Sequence, residues 1–179
     1  MRTLKQPGPV SQPRRVVRKG ALGGRLHVTL TDGDLLEGLR DALAGAGVDR
    51  AGVKLLGGTL DGFWYMTGMV DPTGARVATY GAPTVLEGPV TLVSGDAILG
   101  AGPEGEPLVH CHAVLVDGDG KIHGGHVVPG KAPVVSVTAI ATVTEDAGFE
   151  VGRDDETNYS IFQATGFQVT GFRATGAAS

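Results

Sequence analysis

Glycine sets the terms on which this chain can fold: thirty of its 179 residues are glycine, spaced so that they cut the apolar sequence into short runs. Each glycine inside a helix costs roughly 1 kcal/mol relative to alanine, so a chain punctuated this densely favours turns and short strands. The runs "AGVKLLGG", "TLDGFWYMTGMV", "ARVATYG", "PVTLVSGDAIL", "LVHCHAVLV", "KIHGGHVV" and "APVVSVTAIATVTE" follow one another between residues 51 and 145. Together they predict seven or more strands. Ahead of them "RLHVTLT" alternates, with Leu26, Val28 and Leu30 on one face and His27 on the other, which makes His27 a surface or sheet-edge residue.

One segment carries a helical pattern. Leu35, Leu36, Leu39, Ala42, Leu43 and Ala46 recur at helical spacing, Asp32 or Asp34 can cap the start, and Gly45 and Gly47 end it. One helix beside many short strands predicts an α+β fold, an antiparallel sheet flanked by one or two helices. After Asp146 the pattern fades. The near-repeat "TGFQVTGFRATG" is too short for a solenoid, and reads as a frayed end or as an arm laying Phe167 and Phe172 on a neighbouring subunit. The expected organisation is a basic arm over 1–23, a domain over 24–150 and an extension over 151–179.

Charge is divided along the chain. Residues 1–25 hold seven basic side chains and no acidic one, while the remainder carries a net −11, which sums to −4 for the whole. A proline-rich basic terminus reads first as a solubilising tail. Read as an arm for phosphates, it offers Arg14, Arg15, Arg18 and Lys19 as weak DNA contacts. No apolar run approaches the roughly 18 residues of a membrane span. The N-terminus lacks the apolar core of a secretory signal, and Pro7, Pro9 and Pro13 spoil a transit helix. Cys111 is the only cysteine, so no internal disulfide forms and the cytoplasm is the expected compartment.

Four of the five histidines fall in "HCHAVLVDGDGKIHGGH", residues 110–126. Strand geometry turns His110 and His112 to one face and Cys111 to the other, where a thiol packs as a small hydrophobe. "DGDG" supplies a turn back into "KIHGGHVV". A three- or five-residue loop sets His126 opposite His112, and a four-residue loop needs a bulge, which Gly124-Gly125 would accept. Either route gathers three imidazoles close enough to share one zinc or another divalent transition metal, with a fourth position open. His123 has the other parity and is expected to be exposed. The plain alternative is a hairpin with surface histidines.

The same stretch resembles the signature of the PPC family (plants and prokaryotes conserved), the domain of plant AT-hook nuclear-localised proteins, which reads roughly H-x-H-x-x-L-x-D-x-x-G-x-x-x-G-G-H-L. His110, His112, Leu115, Asp117, Gly120, Gly124, Gly125 and His126 match it, with Val127 in place of the last Leu. "LEGPVTLVSGDA" and "GGTLDGFWYM" are similar to two further family segments, and the resemblance covers about residues 24–147. It implies a sheet flanked by helices, a homotrimer, and zinc on the three matching histidines. The HxH-then-GGH pattern is also similar to acetolactate decarboxylase, a zinc-dependent lyase that adds a glutamate and an arginine; Glu87 and Arg76 are the only candidates here. The plant R-G-R-P hook is missing, and the acidic body repels DNA. Three roles follow: a trimeric metal protein taking a small carboxylate or carbonyl ligand, a weak DNA binder, or such a lyase. None needs a membrane.

Overall fold

A computed structural model describes residues 4–10 and 17–171. In chain order the elements are β1 (Val17–Lys19), β2 (Leu22–Leu30), α1 (Leu35–Gly45), β3 (Ala51–Met66), β4 (Gly68–Met69), β5 (Thr79–Tyr80), β6 (Thr84–Ala101), β7 (Pro107–Val116), β8 (Ile122–Val127), β9 (Val134–Thr144), β10 (Gly148–Asp154), β11 (Tyr159–Thr165) and β12 (Gln168–Gly171). Eight of them make one sheet in the order β11-β10-β6-β7-β8-β3-β9-β2. The long strand β3 also pairs with β6, so β3, β6, β7 and β8 close on one another. Pairing is antiparallel throughout this sheet, except where β10 meets β6 in parallel at Glu150 and Ala101. The architecture is the expected α+β one, with a single helix among the described residues.

That helix starts where the aspartates allow it. Of the two candidate caps the second is used: Asp34 Oδ1 accepts from the Leu36 N–H at 3.0 Å and from the Glu37 N–H at 3.4 Å. Its other oxygen accepts from the Ala132 N–H at 2.9 Å, which ties the helix start to the loop before β9. Such a cap contributes about 1 kcal/mol. Leu35, Leu36, Leu39 and Leu43 are buried, while Ala42 and Ala46 are exposed, so the apolar stripe is narrower than the periodicity predicts.

The glycines of β3 act differently from the punctuation the sequence reading gave them. "AGVKLLGG" and "TLDGFWYM" are one continuous strand, because Gly57 (φ 146°) and Gly58 (φ 150°) carry it through a register shift against β9. A Cβ on Gly58 would overlap the Ser136 carbonyl, so only glycine lets the two backbones approach. Conversely, "ARVATYG" yields only the two residues of β5. The preceding loop is organised by Asp71, which accepts from the Thr73 N–H at 2.9 Å, the Thr73 hydroxyl at 2.8 Å and the Arg76 N–H at 2.9 Å.

The core is shared between helix and sheet. Phe63, Leu55, Leu60, Leu92, Leu99, Leu115, Val127 and Val137 are buried with the helix leucines. Each such side chain contributes roughly 1.5–3 kcal/mol by leaving water.

The chain stays ordered past Asp146. Strands β10 and β11 form an antiparallel hairpin from Gly148 paired with Thr165 to Asp154 paired with Tyr159, and the expected boundary at 150 falls inside β10. Phe167 packs on its own chain, 5.9 Å from the Phe149 ring and against Gly20. Phe172 lies outside the described residues. β1, within the expected arm, pairs with β12, and the Gly8 N–H donates to the Glu156 carbonyl at 2.9 Å.

Candidate metal centre

Strand β7 alternates as its sequence demands. Val109, Cys111, Ala113 and Leu115 are buried, and His110 and His112 stand on the opposite face. Burial, with the Asp96 carboxylate nearby, pushes the Cys111 thiol up to about 12, so it behaves as a small hydrophobe. The turn is a five-residue loop between Val116 and Ile122, one of the two lengths that set His126 opposite His112, and that pair forms. No bulge interrupts β7 and β8. Gly124 and Gly125 serve closeness instead: a Cβ on Gly124 would sit 2.8 Å from the Ala113 carbonyl, and one on Gly125 would overlap Met66 O and reach within 2.9 Å of the Tyr65 ring. Side-chain-free residues let β8 lie between β7 and the end of β3.

His110, His112 and His126 therefore converge. One ring nitrogen from each lies within 4.8 Å of the others. Ring centroids are 4.6 Å apart for His110 and His126, 5.0 Å for His110 and His112, and 5.5 Å for His112 and His126. Nitrogens on one tetrahedral zinc stand about 3.3 Å apart, so small side-chain rotations bring the three onto a single ion. Burial, then the neighbouring imidazoles, lowers His126 to about 4, and burial with His112 lowers His110. Both rings are thus neutral at pH 7, the form that ligates. His126 Nδ1 is buried with no hydrogen-bond partner. The donor set fits zinc, a borderline-soft ion that accepts imidazole readily.

His123 corrects the sequence reading. It does face away from the cluster, but into the interior beside β3, not into solvent: its side chain is 8% exposed. Its Nε2 lies 2.7 Å from Asp117 Oδ2, and its Nδ1 is 3.2 Å from the Tyr65 hydroxyl. Asp117 Oδ1 in turn accepts from the Asp119 N–H at 3.0 Å and the Lys121 N–H at 2.9 Å, so one carboxylate shapes the whole loop. The bond to His123, followed by that from Lys121, holds the Asp117 carboxyl below its usual range. The signal was parity, which says which face a residue takes but not what covers it.

Two aromatic neighbours of the cluster had no signal in the sequence. Tyr80 stacks on His126 with centroids 4.8 Å apart and planes 25° apart. Phe162 meets His110 edge-on at 6.4 Å and 67°. Among the other candidates, His27 is exposed on β2, and Arg18 and Lys19 are exposed on β1. Arg14 and Arg15 lie outside the described residues. Glu87 is exposed and lines a separate cavity of about 440 Å³ with Asp61, Trp64 and Lys131. Arg76 is exposed, its guanidinium 5.4 Å from the centre of the Tyr159 ring. Neither belongs to the three-residue ligand group.

Fold and site define a class: a small α+β domain that presents three histidines from one β-hairpin. The sequence matches the Plants and Prokaryotes Conserved (PCC) domain over residues 18–145, and the chain belongs to that family. Solved structures agree in fold. A metal-containing protein of Archaeoglobus fulgidus superposes with a TM-score of 0.66 at 20% identity, covering 82% of this chain and 98% of its own. A plant- and prokaryote-conserved protein of Pyrococcus horikoshii gives 0.66 at 21%, covering 83% and 97%. A protein of Ralstonia eutropha whose name proposes DNA binding gives 0.59 at 18%, covering 76% and 89%. No curated protein matches this chain.

Proposed function

We propose that this chain is a metal-binding member of its family, holding zinc on His110, His112 and His126 and leaving one position for a small carboxylate or carbonyl ligand. The observation that carries the reading is the convergence of three imidazoles, two of them held neutral by burial. The metal-containing Archaeoglobus protein of the same fold supports it. Zinc with an open position supplies Lewis-acid polarisation of a bound oxygen or carbonyl. The chain's own contribution is a donor set carrying no negative charge, which leaves the ion its full positive charge for an anionic ligand. The ligand group brings no carboxylate to act as acid or base, so ligand binding is the reading preferred over lyase turnover.

Elemental analysis of untagged protein should find about one metal per chain. His112→Ala should lose it; full metal content in that variant would overturn the assignment.

The assembly proposed is a homotrimer. Val93, Val114 and Val135 are 50%, 44% and 49% exposed on strands of the main sheet, apolar surface that a neighbouring copy would cover. Light scattering returning a monomer at micromolar concentration would refute it. A second reading concerns DNA. Arg18 and Lys19 are exposed on β1, and relatives named for DNA binding share the fold. Binding through the arm would be weak, indifferent to sequence and steeply salt-dependent. No helix among the described residues is long and apolar enough to cross a membrane.

A further inference from the structure

A ligating imidazole ordinarily donates its second ring N–H to a carboxylate, a carbonyl or water, which fixes the ring and raises its basicity. Here that partner is replaced. No side-chain hydrogen bond joins the rings of His110, His112 or His126 to any described residue, and His126 Nδ1 is buried without one. Aromatic rings occupy the neighbouring space instead. Contact by contact, the cluster runs Tyr80, His126, His110, Phe162, at centroid separations of 4.8, 4.6 and 6.4 Å.

We propose that Tyr80 and Phe162 are positioning residues of the three-histidine site, holding the His126 and His110 rings by packing where polar partners would normally hold them. The inference rests on the metal reading above. The two aromatics come from distant parts of the chain, yet the fold delivers them as one unit. The Val77 N–H donates to the Thr157 carbonyl at 2.9 Å, the Asn158 side-chain amide donates to the Ala75 carbonyl, and Arg76 lies over Tyr159. The loop before Tyr80 is thereby clasped to the β10–β11 turn. Asn158 is suited to that turn: its φ of 56° is left-handed, which asparagine tolerates better than most residues.

Gly100 seats the hairpin on β6, since a Cβ there would overlap the Phe149 carbonyl and come within 2.8 Å of the Phe162 ring. The hairpin lies beyond residue 145, where the family match ends, so half of this enclosure comes from outside the matched segment. Packing orients an imidazole without pushing electrons into it. A metal so held stays more electron-poor than one behind a carboxylate–histidine pair.

The test is zinc competition against a chromophoric chelator, together with the visible spectrum of the cobalt(II) form, on the full-length protein and three variants. Tyr80→Leu and Phe162→Leu should weaken metal binding by about 10-fold, the lower end of what loss of an orienting partner costs. Both should shift the cobalt bands, a change that lowered stability by itself does not produce. Tyr80→Phe keeps the ring and should retain both affinity and spectrum. Should Phe162→Leu fail to fold, Tyr80→Leu decides, because Tyr80 is only half-buried in a two-residue strand. Leu variants with the parent's affinity and spectrum would overturn this inference alone. A parent protein that takes up neither zinc nor cobalt would overturn the metal reading and this inference with it.

Discussion

Two hairpins meet at the histidine cluster, and they differ in how they hold their shape. In β7–β8, buried and open positions alternate along β7, a single carboxylate organises the loop, and the pairing sets His126 opposite His112. In β10–β11, most side chains are half-buried or exposed, with Gly148 alone fully buried in the two strands. The second hairpin joins the sheet by one parallel pairing with β6 and by side-chain contacts at Gly100 and His110. The contrast teaches that alternation records burial by a strand's own sheet neighbours. A strand that docks by its edge and a few aromatic side chains leaves no such record.

The comparison breaks most readily at the core. Leu115→Ala in β7 removes a fully buried side chain and should cost about 2–5 kcal/mol in urea unfolding. Ile161→Ala in β11, 41% exposed, should stay within about 0.5 kcal/mol. Equal losses would mean that the two hairpins are held alike.

The next test separates glycines that admit a neighbour from those that merely turn. Gly125→Ala forces a methyl into Met66 and Tyr65 and should destabilise by about 1–3 kcal/mol. Gly118→Ala, with nothing within 4 Å of the new carbon, should change stability by less than about 0.5 kcal/mol. A tolerated Gly125→Ala would show that β8 can move off β3.

Smaller still is the polar pin behind the loop. Tyr65→Phe deletes the hydroxyl that meets His123 Nδ1 and leaves a half-buried nitrogen unserved, at about 0.5–1.5 kcal/mol. The corresponding loss should be visible as a lower thermal midpoint with metal content unchanged.

Acid gives the most specific effect. His126 is lowered from its ordinary 6.5 to about 4 in the folded chain. Between those values the unfolded chain binds a proton that the folded chain refuses, so stability is fully present above pH 6.5 and declines toward pH 4. Because an imidazole must be neutral to ligate, the site should release its metal as the pH falls. Metal content unchanged down to pH 4 would argue against ligation by imidazoles. In a metal-free His126→Gln variant, the decline in stability from pH 6.5 to 4 should be shallower than in the parent.

Much of this was legible before any coordinates. The leucine spacing of α1 and the alternation of β7 are local rules, each decided within about ten residues, whereas the five-residue loop that opposes His112 to His126 was one of the lengths left open until the structure fixed it. Where the reading stopped, the reason is also local. Asp32 and Asp34 offered equal caps until the Ala132 N–H chose the second, and the glycines at 57 and 58 read as a break until β9 passed beside them.

By itself, then, the sequence determined which residues share a strand face, because a peptide's pleat has period two whatever surrounds it. That rule was enough to set His110 and His112 on one face and to part His123 from His126; the hairpin register then brought His126 opposite His112. Only the tertiary structure decided that His123 enters the interior, that Tyr80 covers His126, and that a tail with no alternation returns to set Phe162 beside His110. Those contacts join residues far apart in the chain, and no periodicity encodes a pairing whose partner is chosen by how β3, β6 and the C-terminal hairpin happen to close in space.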